Sequence, residues 1–177
     1  MAYDQHVRSA SGLVARCAVV TLSDTRTPEN DTSGQTIRKS LESAGHVVAR
    51  YALIPDDPTR LTALLNELLS DAAVDVVLTN GGTGVARRDQ TLAAVERVIT
   101  QPLPGFGELF RMLSWDQVGA GAMLSRAAGG IAFDAAGRGK PVFAMPGSTR
   151  AVELAMSKLI VPELGHLLSE LRKGHSP

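Results

Sequence analysis

The sequence predicts an α/β protein with three layers, αβα, in which helices cover both faces of a mostly parallel central sheet. Short apolar runs rich in β-branched residues alternate with helical patterns along the chain. This alternation is typical of parallel strands joined by helices. Polar or glycine-rich loops follow the strand-like runs. Because ligands of such sheets bind at the carboxyl ends of the strands, these loops are where we expect a functional site.

The first half of the chain supplies three of the predicted strands. Residues 1–12 are polar and predict a flexible leader, whereas residues 13–177 predict a single domain of ordinary size. Apolar runs that are short and β-branched predict strands at 13–22, 47–54 and 74–80.

Two helices are expected between these strands, and each carries its own boundary signals. The first runs from 32 to about 44, with Thr32 or Asp31 as its cap and Gly45 as its end. The second follows Asp57 as cap, with Pro58 at the first helical position. The leucines of this second helix recur at helical spacing, which predicts a core face and not a cofactor site.

The second half predicts a less regular alternation. Helices are expected at 91–99, at 106–118 with a break at Ser114, and from Thr149 to the end with an interruption at Pro162. Strands are expected at 127–133 and 141–145. Ser148 is the expected cap of the last helix.

Composition excludes several classes of function. The formal net charge is zero and aromatic residues are few, so no nucleic-acid partner is expected. No apolar run approaches the roughly 20 residues of a membrane span, and the amino terminus lacks the apolar core of a signal peptide. Cys17 is the only cysteine and lies in a strand pattern, which favours a buried hydrophobe over a nucleophile. These features suit a cytoplasmic protein without a membrane partner.

The third strand leads into the most informative stretch of the chain. Three glycines lie within 81–84, Arg87, Arg88 and Asp89 follow, and a helical pattern begins at Thr91. Glycines let a ligand approach backbone N–H groups, and a helix N-terminus favours anions, so the turn predicts a phosphate site. Glycines that serve only helix–strand packing are the alternative. A carboxylate beside a phosphate cradle repels the ligand unless it holds a metal or a donor group, so Asp89 indicates chemistry.

Other loops after strands carry candidates for the same rim. Asp56 and Asp89 are predicted to hold Mg²⁺, which prefers oxygen ligands and substrate phosphates. The structural alternatives are a turn residue for Asp56, a helix cap for Asp89 and a loop brace for Ser23 and Asp24. The histidines lack the spacing of a zinc site, and the dinucleotide fingerprint of nicotinamide-dependent oxidoreductases is absent.

Several motifs occur along this chain in the same order as in one known family of proteins. They are Leu22-Ser23-Asp24-x-Arg26, Asp31-x-Ser33-Gly34, Ile54-Pro55-Asp56, Thr79-Asn80-Gly81-Gly82-Thr83-Gly84, Arg88-Asp89-x-Thr91, Pro104-Gly105-Phe106-Gly107-Glu108, Leu124-Ser125-Arg126 and Met145-Pro146-Gly147-Ser148. The chain resembles the MogA/MoaB family of molybdenum cofactor biosynthesis, to which the G domain of gephyrin also belongs. The resemblance covers nearly the whole chain and implies a molybdopterin-binding α/β fold that assembles as a homotrimer or hexamer.

The resemblance also implies an activity, in which the MogA branch adenylates molybdopterin with Mg-ATP and releases pyrophosphate. The roles it implies are catalysis and metal binding for Asp56 and Asp89; nucleotide phosphate binding for Gly81, Gly82, Thr83, Gly84 and Arg88; molybdopterin binding for Ser125, Pro146, Gly147 and Ser148; and pocket support for Ser23, Asp24 and Arg26. Other molybdenum cofactor proteins are expected partners.

The two branches of the family are mixed in this chain. Its length and its Asp31-Thr32-Ser33-Gly34 motif are similar to MoaB, whereas Asp56 and Asp89 are similar to MogA. Leu92 stands where the family usually has proline, and Asn80 where threonine is commoner. The aspartate pair favours an adenylyltransferase. A molybdopterin carrier or scaffold without turnover is the alternative.

Overall fold

A mixed six-stranded sheet forms the centre of the computed structural model, which describes residues 12–86 and 89–173. Its strands are β1 (Arg16–Leu22), β2 (Val47–Ile54), β3 (Val76–Asn80), β4 (Gln101–Pro102), β5 (Ala128–Phe133) and β6 (Gly139–Met145). They lie in the order β2-β1-β3-β6-β5-β4. The first four strands of that order are parallel, and β5 and β4 are antiparallel to their neighbours. The predicted α/β class with a mostly parallel sheet is confirmed.

Helices cover both faces of the sheet. They are α1 (Thr32–Ser43), α2 (Pro58–Ser70), α3 (Thr91–Val98), α4 (Pro104–Val118), α5 (Thr149–Ala155) and α6 (Val161–Lys173), with a 3₁₀ segment at Gly119–Leu124 and a π-turn at Met156–Ile160. One apolar core joins the sheet to α1, α4, α5 and α6, and a second core joins its other face to α2 and α3. These two cores make the three predicted layers.

Burial on both faces explains the sequence pattern of the central strands. Every residue of β3 is buried, and in β1 only Arg16 is exposed. A strand covered on both sides has no solvent face, so it reads as a continuous apolar run and not as an alternation. Each fully buried Val or Leu contributes about 1.5–3 kcal/mol relative to an exposed one.

The predicted helix boundaries hold where a cap residue marks them. Asp31 caps α1 by accepting a hydrogen bond from the Gly34 N–H at 3.0 Å, and Gly45 follows the helix with φ of +82°. Asp57 caps α2 by accepting from the Thr59 and Arg60 N–H groups at 2.8 and 3.2 Å. Caps satisfy donors that a helix leaves unpaired at its N-terminus, which is why they fix the boundary.

Several predicted boundaries were wrong, among them the starts of β3, which is Val76 and not Val74, and of β6, which is Gly139 and not Pro141. β1 begins at Arg16 and not at Leu13, because the pairing of β1 with β2 starts at Arg16 opposite Val47. The fourth helix begins at Pro104, whose fixed φ suits a first turn. It also runs unbroken through Ser114, whose hydroxyl donates to the Phe110 carbonyl at 2.7 Å inside the helix.

The last helical stretch is interrupted before its proline. Residues Met156–Ile160 form a π-turn that joins α5 to α6, and Pro162 lies in the first turn of α6. Proline has no N–H to donate to the carbonyl four residues earlier, so a helix that continues through it must change register nearby. The predicted interruption therefore exists, but it lies at Met156–Ile160, two to six residues before Pro162.

Further expectations concern single features of the chain. Burial raises the pKa of Cys17 to about 12, which confirms a buried hydrophobe and not a reactive thiol. In residues 12–86 and 89–173 no helix is both long and apolar enough to cross a membrane. The predicted leader falls almost wholly in residues 1–11, outside the described part of the chain.

Candidate functional site

A cleft of about 550 Å³ lies at the carboxyl ends of β1, β3 and β6. Its walls come from three of the four loops that the sequence predicts, those at Ser23, Gly81 and Gly147, and from the 3₁₀ segment with Ser125 after it. The lining residues are Leu22, Ser23, Thr25, Arg26, Gly81, Gly82, Thr83, Gly84, Gly121, Leu124, Ser125, Pro146, Gly147 and Ser148. The structure therefore brings together the predicted phosphate-binding and pterin-binding loops. Of the predicted residues, Asp24, Asp56 and Asp89 are not part of this lining.

The glycine loop, Gly81–Gly84, takes a backbone path that side chains would block. Gly81 has φ of +99° and Gly82 φ of +60°. A Cβ on Gly81 would lie 2.2 Å from the Leu22 carbonyl oxygen. The Gly81 N–H donates to the Met145 carbonyl at 3.1 Å. Glycine is thus required where β3 turns over the end of β1.

Each predicted catalytic carboxylate lies close to one glycine of this loop. A Cβ on Gly82 would lie 2.5 Å from Asp56 Oδ1, and a Cβ on Gly84 would lie 2.5 Å from Asp89 Oδ2. Asp89 accepts a hydrogen bond from the Ala86 N–H at 2.9 Å. The alternative of Asp89 as a helix cap was wrong, because Gln90 occupies the cap position of α3.

Neighbouring groups fix Asp56 from both sides. The Thr91 hydroxyl donates to Asp56 Oδ1 at 3.3 Å, and the Asp56 N–H donates to Asp24 Oδ1 at 3.1 Å. Asp24 thus supports the site by holding the backbone of Asp56. Ser23 accepts from the Thr25 and Arg26 N–H groups at 3.2 and 3.1 Å, so it acts as a loop brace as well as lining the cleft.

The carboxylate oxygens of Asp56 and Asp89 are ligands of the type that Mg²⁺ prefers. Mg²⁺ is commonly held by one or two carboxylates, with water and phosphate oxygens completing its shell. Asp56 and Asp89 would supply those carboxylates beside the glycine loop. Among the described residues, no group of three or more His, Cys, Asp or Glu side chains forms a complete protein cage for a metal.

Asp31 joins the helix α1 to the cleft through a buried network. Its side chain is fully buried and accepts hydrogen bonds from the Thr21 hydroxyl at 2.6 Å and the Tyr51 hydroxyl at 2.8 Å. Arg26 Nη1 donates to it at 3.2 Å. Burial by itself raises a carboxyl pKa, but these donors outweigh it and hold the pKa of Asp31 below its usual value. Burial and, as a smaller cause, the hydrogen bond with Asp31 raise the pKa of Tyr51 to about 12.

The opposite wall of the cleft is the loop Pro146–Ser148. The Gly147 carbonyl accepts from Arg26 Nη2 at 2.8 Å and from the Ser33 hydroxyl at 2.7 Å. Ser148 caps α5 by accepting from the Ala151 N–H at 3.3 Å, so the capping interpretation is confirmed and its position in the cleft lining is observed as well. A Cβ on Gly147 would lie 3.1 Å from the Gly81 Cα. The two ligand loops therefore touch backbone to backbone.

Sequence reasoning missed several residues of the site. Arg126 Nη1 donates to the Gly84 carbonyl at 2.9 Å, and Gly121 and Leu124 line the cleft. Arg126 belongs to one of the motifs, but its partner lies 42 residues away, so spacing gives no signal of the contact. The predicted phosphate contact of Arg88 falls outside the described residues.

Replacement of Gly81 by alanine tests the backbone path of the glycine loop. We expect Gly81→Ala to lower the free energy of unfolding by about 3 kcal/mol, because the new Cβ combines positive φ with a backbone clash. Gly105→Ala is the matched control, since nothing lies within 4 Å of its Cβ. Urea unfolding of both variants measures the difference, and equal stabilities would contradict the argument.

Fold and cleft together define a class, the three-layer α/β proteins with a polar ligand cleft at the carboxyl edge of parallel strands. Comparison with known families places the chain more closely. The family described as a probable molybdopterin binding domain matches residues 18–166. The chain belongs to this family of molybdenum cofactor biosynthesis proteins, and the resemblance read from the motifs is confirmed.

Individual relatives agree with this placement. Molybdenum cofactor biosynthesis protein B of Bacillus cereus is 48% identical over 174 residues, which cover 98% of this chain and 99% of the relative. A crystal structure of a molybdenum cofactor biosynthesis protein B superposes with a TM-score of 0.86 at 49% identity, covering 91% of this chain and 98% of that one. The tungsten cofactor synthesizing protein MoaB of Pyrococcus furiosus gives 0.80 at 34% identity, covering 90% and 98%.

Proposed function

We propose that this protein is a molybdopterin adenylyltransferase, which transfers the adenylyl group of ATP to molybdopterin. The observation that carries the proposal is the position of Asp56 and Asp89, each in contact with one glycine of a loop that lines the cleft. A pure carrier of an anionic ligand gains nothing from two carboxylates at its phosphate loop, because their charge repels the ligand. Carboxylates that manage a metal ion or position reacting phosphates account for them.

In the proposed reaction a terminal phosphate oxygen of molybdopterin attacks the α-phosphorus of ATP. A new P–O bond forms between molybdopterin phosphate and the α-phosphorus, and the bond from that phosphorus to the oxygen bridging to the β-phosphate breaks. Pyrophosphate leaves with the electron pair of the broken bond. Such a transfer needs positioned groups and charge stabilisation, and no covalent enzyme intermediate is required.

In this proposal each wall of the cleft binds one of the two substrates. Gly82, Thr83 and Gly84 would bind the nucleotide phosphates through backbone N–H groups, and Arg88 would add charge. Gly81 would shape the turn, because its own N–H donates to the Met145 carbonyl. Ser125 and the loop Pro146–Ser148 would bind molybdopterin. Backbone contact between Gly147 and Gly81 supports this arrangement, because it brings the phosphate ends of the two ligands to one point.

Magnesium would be held by Asp56 and Asp89 together with phosphate oxygens. When bound, it neutralises phosphate charge and so stabilises a phosphoryl transition state. The chain's own part is to position the carboxylates, which the Thr91 hydroxyl and the Asp24 contact do for Asp56.

The direct test incubates the purified protein with molybdopterin, ATP and Mg²⁺ and follows pyrophosphate and adenylated pterin by chromatography. Product that depends on both substrates is the expected result. Bound molybdopterin without product would overturn the proposal and favour a carrier or scaffold. Omission of Mg²⁺ from the assay tests the metal, and we expect it to abolish turnover.

A homo-oligomer, a trimer or hexamer, is part of the proposal. Four large apolar residues, three apart, form an exposed stripe along α4: Leu109, Met112, Trp115 and Val118, of which Trp115 is 62% exposed. Met123 and Leu124 extend it to the rim of the cleft. A contiguous apolar patch of this kind is typical of a protein interface. Light scattering is expected to give three or six times the chain mass of 18.6 kDa; a monomer would contradict this.

A further inference from the structure

One arginine holds a backbone carbonyl on each wall of the cleft. Arg126 Nη1 donates to the Gly84 carbonyl at 2.9 Å, and Arg26 Nη2 donates to the Gly147 carbonyl at 2.8 Å. Both carbonyls belong to residues that line the cleft. A carbonyl oxygen carries partial negative charge and repels an anionic ligand, so its orientation decides whether these loops can hold phosphate.

The geometry of the peptide bond relates the direction of each carbonyl to that of the N–H group in the same peptide. The described residues contain no cis peptide, and a trans peptide directs its N–H opposite to its carbonyl. With the Gly84 and Gly147 carbonyls drawn to the arginines, the N–H groups of Val85 and Ser148 are directed away from them. Neither N–H donates to another of the described residues. Each clamped peptide thus leaves its own N–H, that of Val85 or Ser148, without an acceptor among the described residues.

The two arginine–carbonyl hydrogen bonds, which we call clamps, differ in how the arginine is held by its neighbours. Arg26 is shared between the Gly147 carbonyl and the buried Asp31, and Asp31 is fixed in turn by Thr21 and Tyr51. Ser33 adds a second donor to the same Gly147 carbonyl at 2.7 Å. Among the described residues Arg126 donates to the Gly84 carbonyl alone, and it comes from the segment just before β5. The wall of the 146–148 loop is therefore the more rigid of the two.

We infer that Arg26 and Arg126 are positioning residues, which turn the carbonyls of Gly147 and Gly84 away from the ligand and present the Val85 and Ser148 N–H groups to phosphate. Arg126 serves the nucleotide side of the cleft. Arg26, with Ser33 and Asp31, serves the pterin side. This division into two sides rests on the proposed function; the clamping of the carbonyls does not.

Amide hydrogen exchange measured by NMR tests the clamps without any substrate. Arg126→Met removes the donor on Gly84, and we expect exchange of the nearby hydrogen-bonded Ala86 amide to rise on the order of tenfold while the Ala151 amide stays unchanged. Ser33→Ala removes one donor from Gly147 and should raise exchange at Ala151 only. Arg26 and Ser33 both donate to the Gly147 carbonyl, so Ser33→Ala still tests this clamp if Arg26→Met does not fold. Arg50→Met, on an exposed pair with Glu67, is the control and should change neither.

Kinetics then test the assignment of the sides. We expect Arg126→Met to raise the KM for ATP on the order of tenfold and to leave the KM for molybdopterin unchanged, with the reverse for Ser33→Ala. A general structural role would change both constants together and would overturn the assignment. If the wild-type protein makes no product, the adenylation proposal fails while the exchange experiment still decides the clamps. If product forms and exchange is unchanged in every folded variant, the clamps fail alone.

Discussion

Asp89→Ala is expected to abolish adenylation while leaving the fold and molybdopterin binding intact. The carboxylate lies against Gly84, at the end of the glycine loop, and within residues 12–86 and 89–173 it accepts one hydrogen bond, from the Ala86 N–H. Removal of a preorganised charge at a phosphoryl-transfer site costs roughly 10²–10³-fold in rate. The measurement is kcat with saturating substrates, together with thermal unfolding to confirm the fold.

Asp89→Asn separates the two roles that the structure allows for this side chain. The amide keeps an oxygen that can accept from the Ala86 N–H but loses the charge. If Asp89 acts through its charge, the asparagine variant should be as inactive as the alanine variant. Activity retained by Asp89→Asn would mean that the side chain only braces the loop. Glu42→Gln, on an exposed position of α1, is the matched control for charge loss.

Asp31→Ala is expected to cause a large loss of stability, about 3 kcal/mol in the free energy of unfolding. The substitution leaves the Thr21 and Tyr51 hydroxyls without their acceptor and removes the cap of α1. It also leaves Arg26 without its buried counter-charge. Tyr51→Phe deletes one donor and should cost only about 1–2 kcal/mol.

The pH dependence of Asp31→Ala gives an independent check. The folded-state pKa of Asp31 lies below its usual 3.8, so its contribution is present above about pH 4 and is lost as the pH falls through the folded-state value. The stability difference between wild type and variant should therefore shrink on acidification below pH 4. Urea unfolding at several pH values measures it, and a difference that stays constant to pH 2 would contradict an ionised Asp31.

Structural features that depend on residues close together in the sequence could be predicted. The clearest examples are the starts of helices and the turns that follow strands. Asp57 and Pro58 mark the start of α2 by local backbone chemistry, and Gly81 and Gly82 mark a turn that needs positive φ. Such signals act within about four residues, so a pattern contains them. The rim of the cleft could be predicted for the same reason, because parallel strands bring their carboxyl ends to one edge.

Contacts between distant parts of the chain could not be predicted. Arg26 reaches Gly147 across 121 positions and Arg126 reaches Gly84 across 42. Nothing in the local sequence of either arginine specifies its partner, since register and packing of the whole sheet decide it. The direction of β5 is a similar case: its apolar run predicts a strand, but the run is the same for parallel and antiparallel pairing.

The reversed direction of β5 determines where this protein can accommodate extra residues. Because β5 runs antiparallel to β6, the chain approaches the cleft just before β5 begins, through Gly119–Leu124 and Ser125. The three parallel strands under the ligand loops hold their register through one another. An insertion in the 119–124 segment would therefore raise or reshape one wall of the cleft without shifting β1, β3 or β6. A change of length in this segment is therefore expected to alter the room for a ligand. The Gly81–Gly84 loop leaves less freedom for such a change, because Gly81 packs against the Leu22 carbonyl and donates to the Met145 carbonyl.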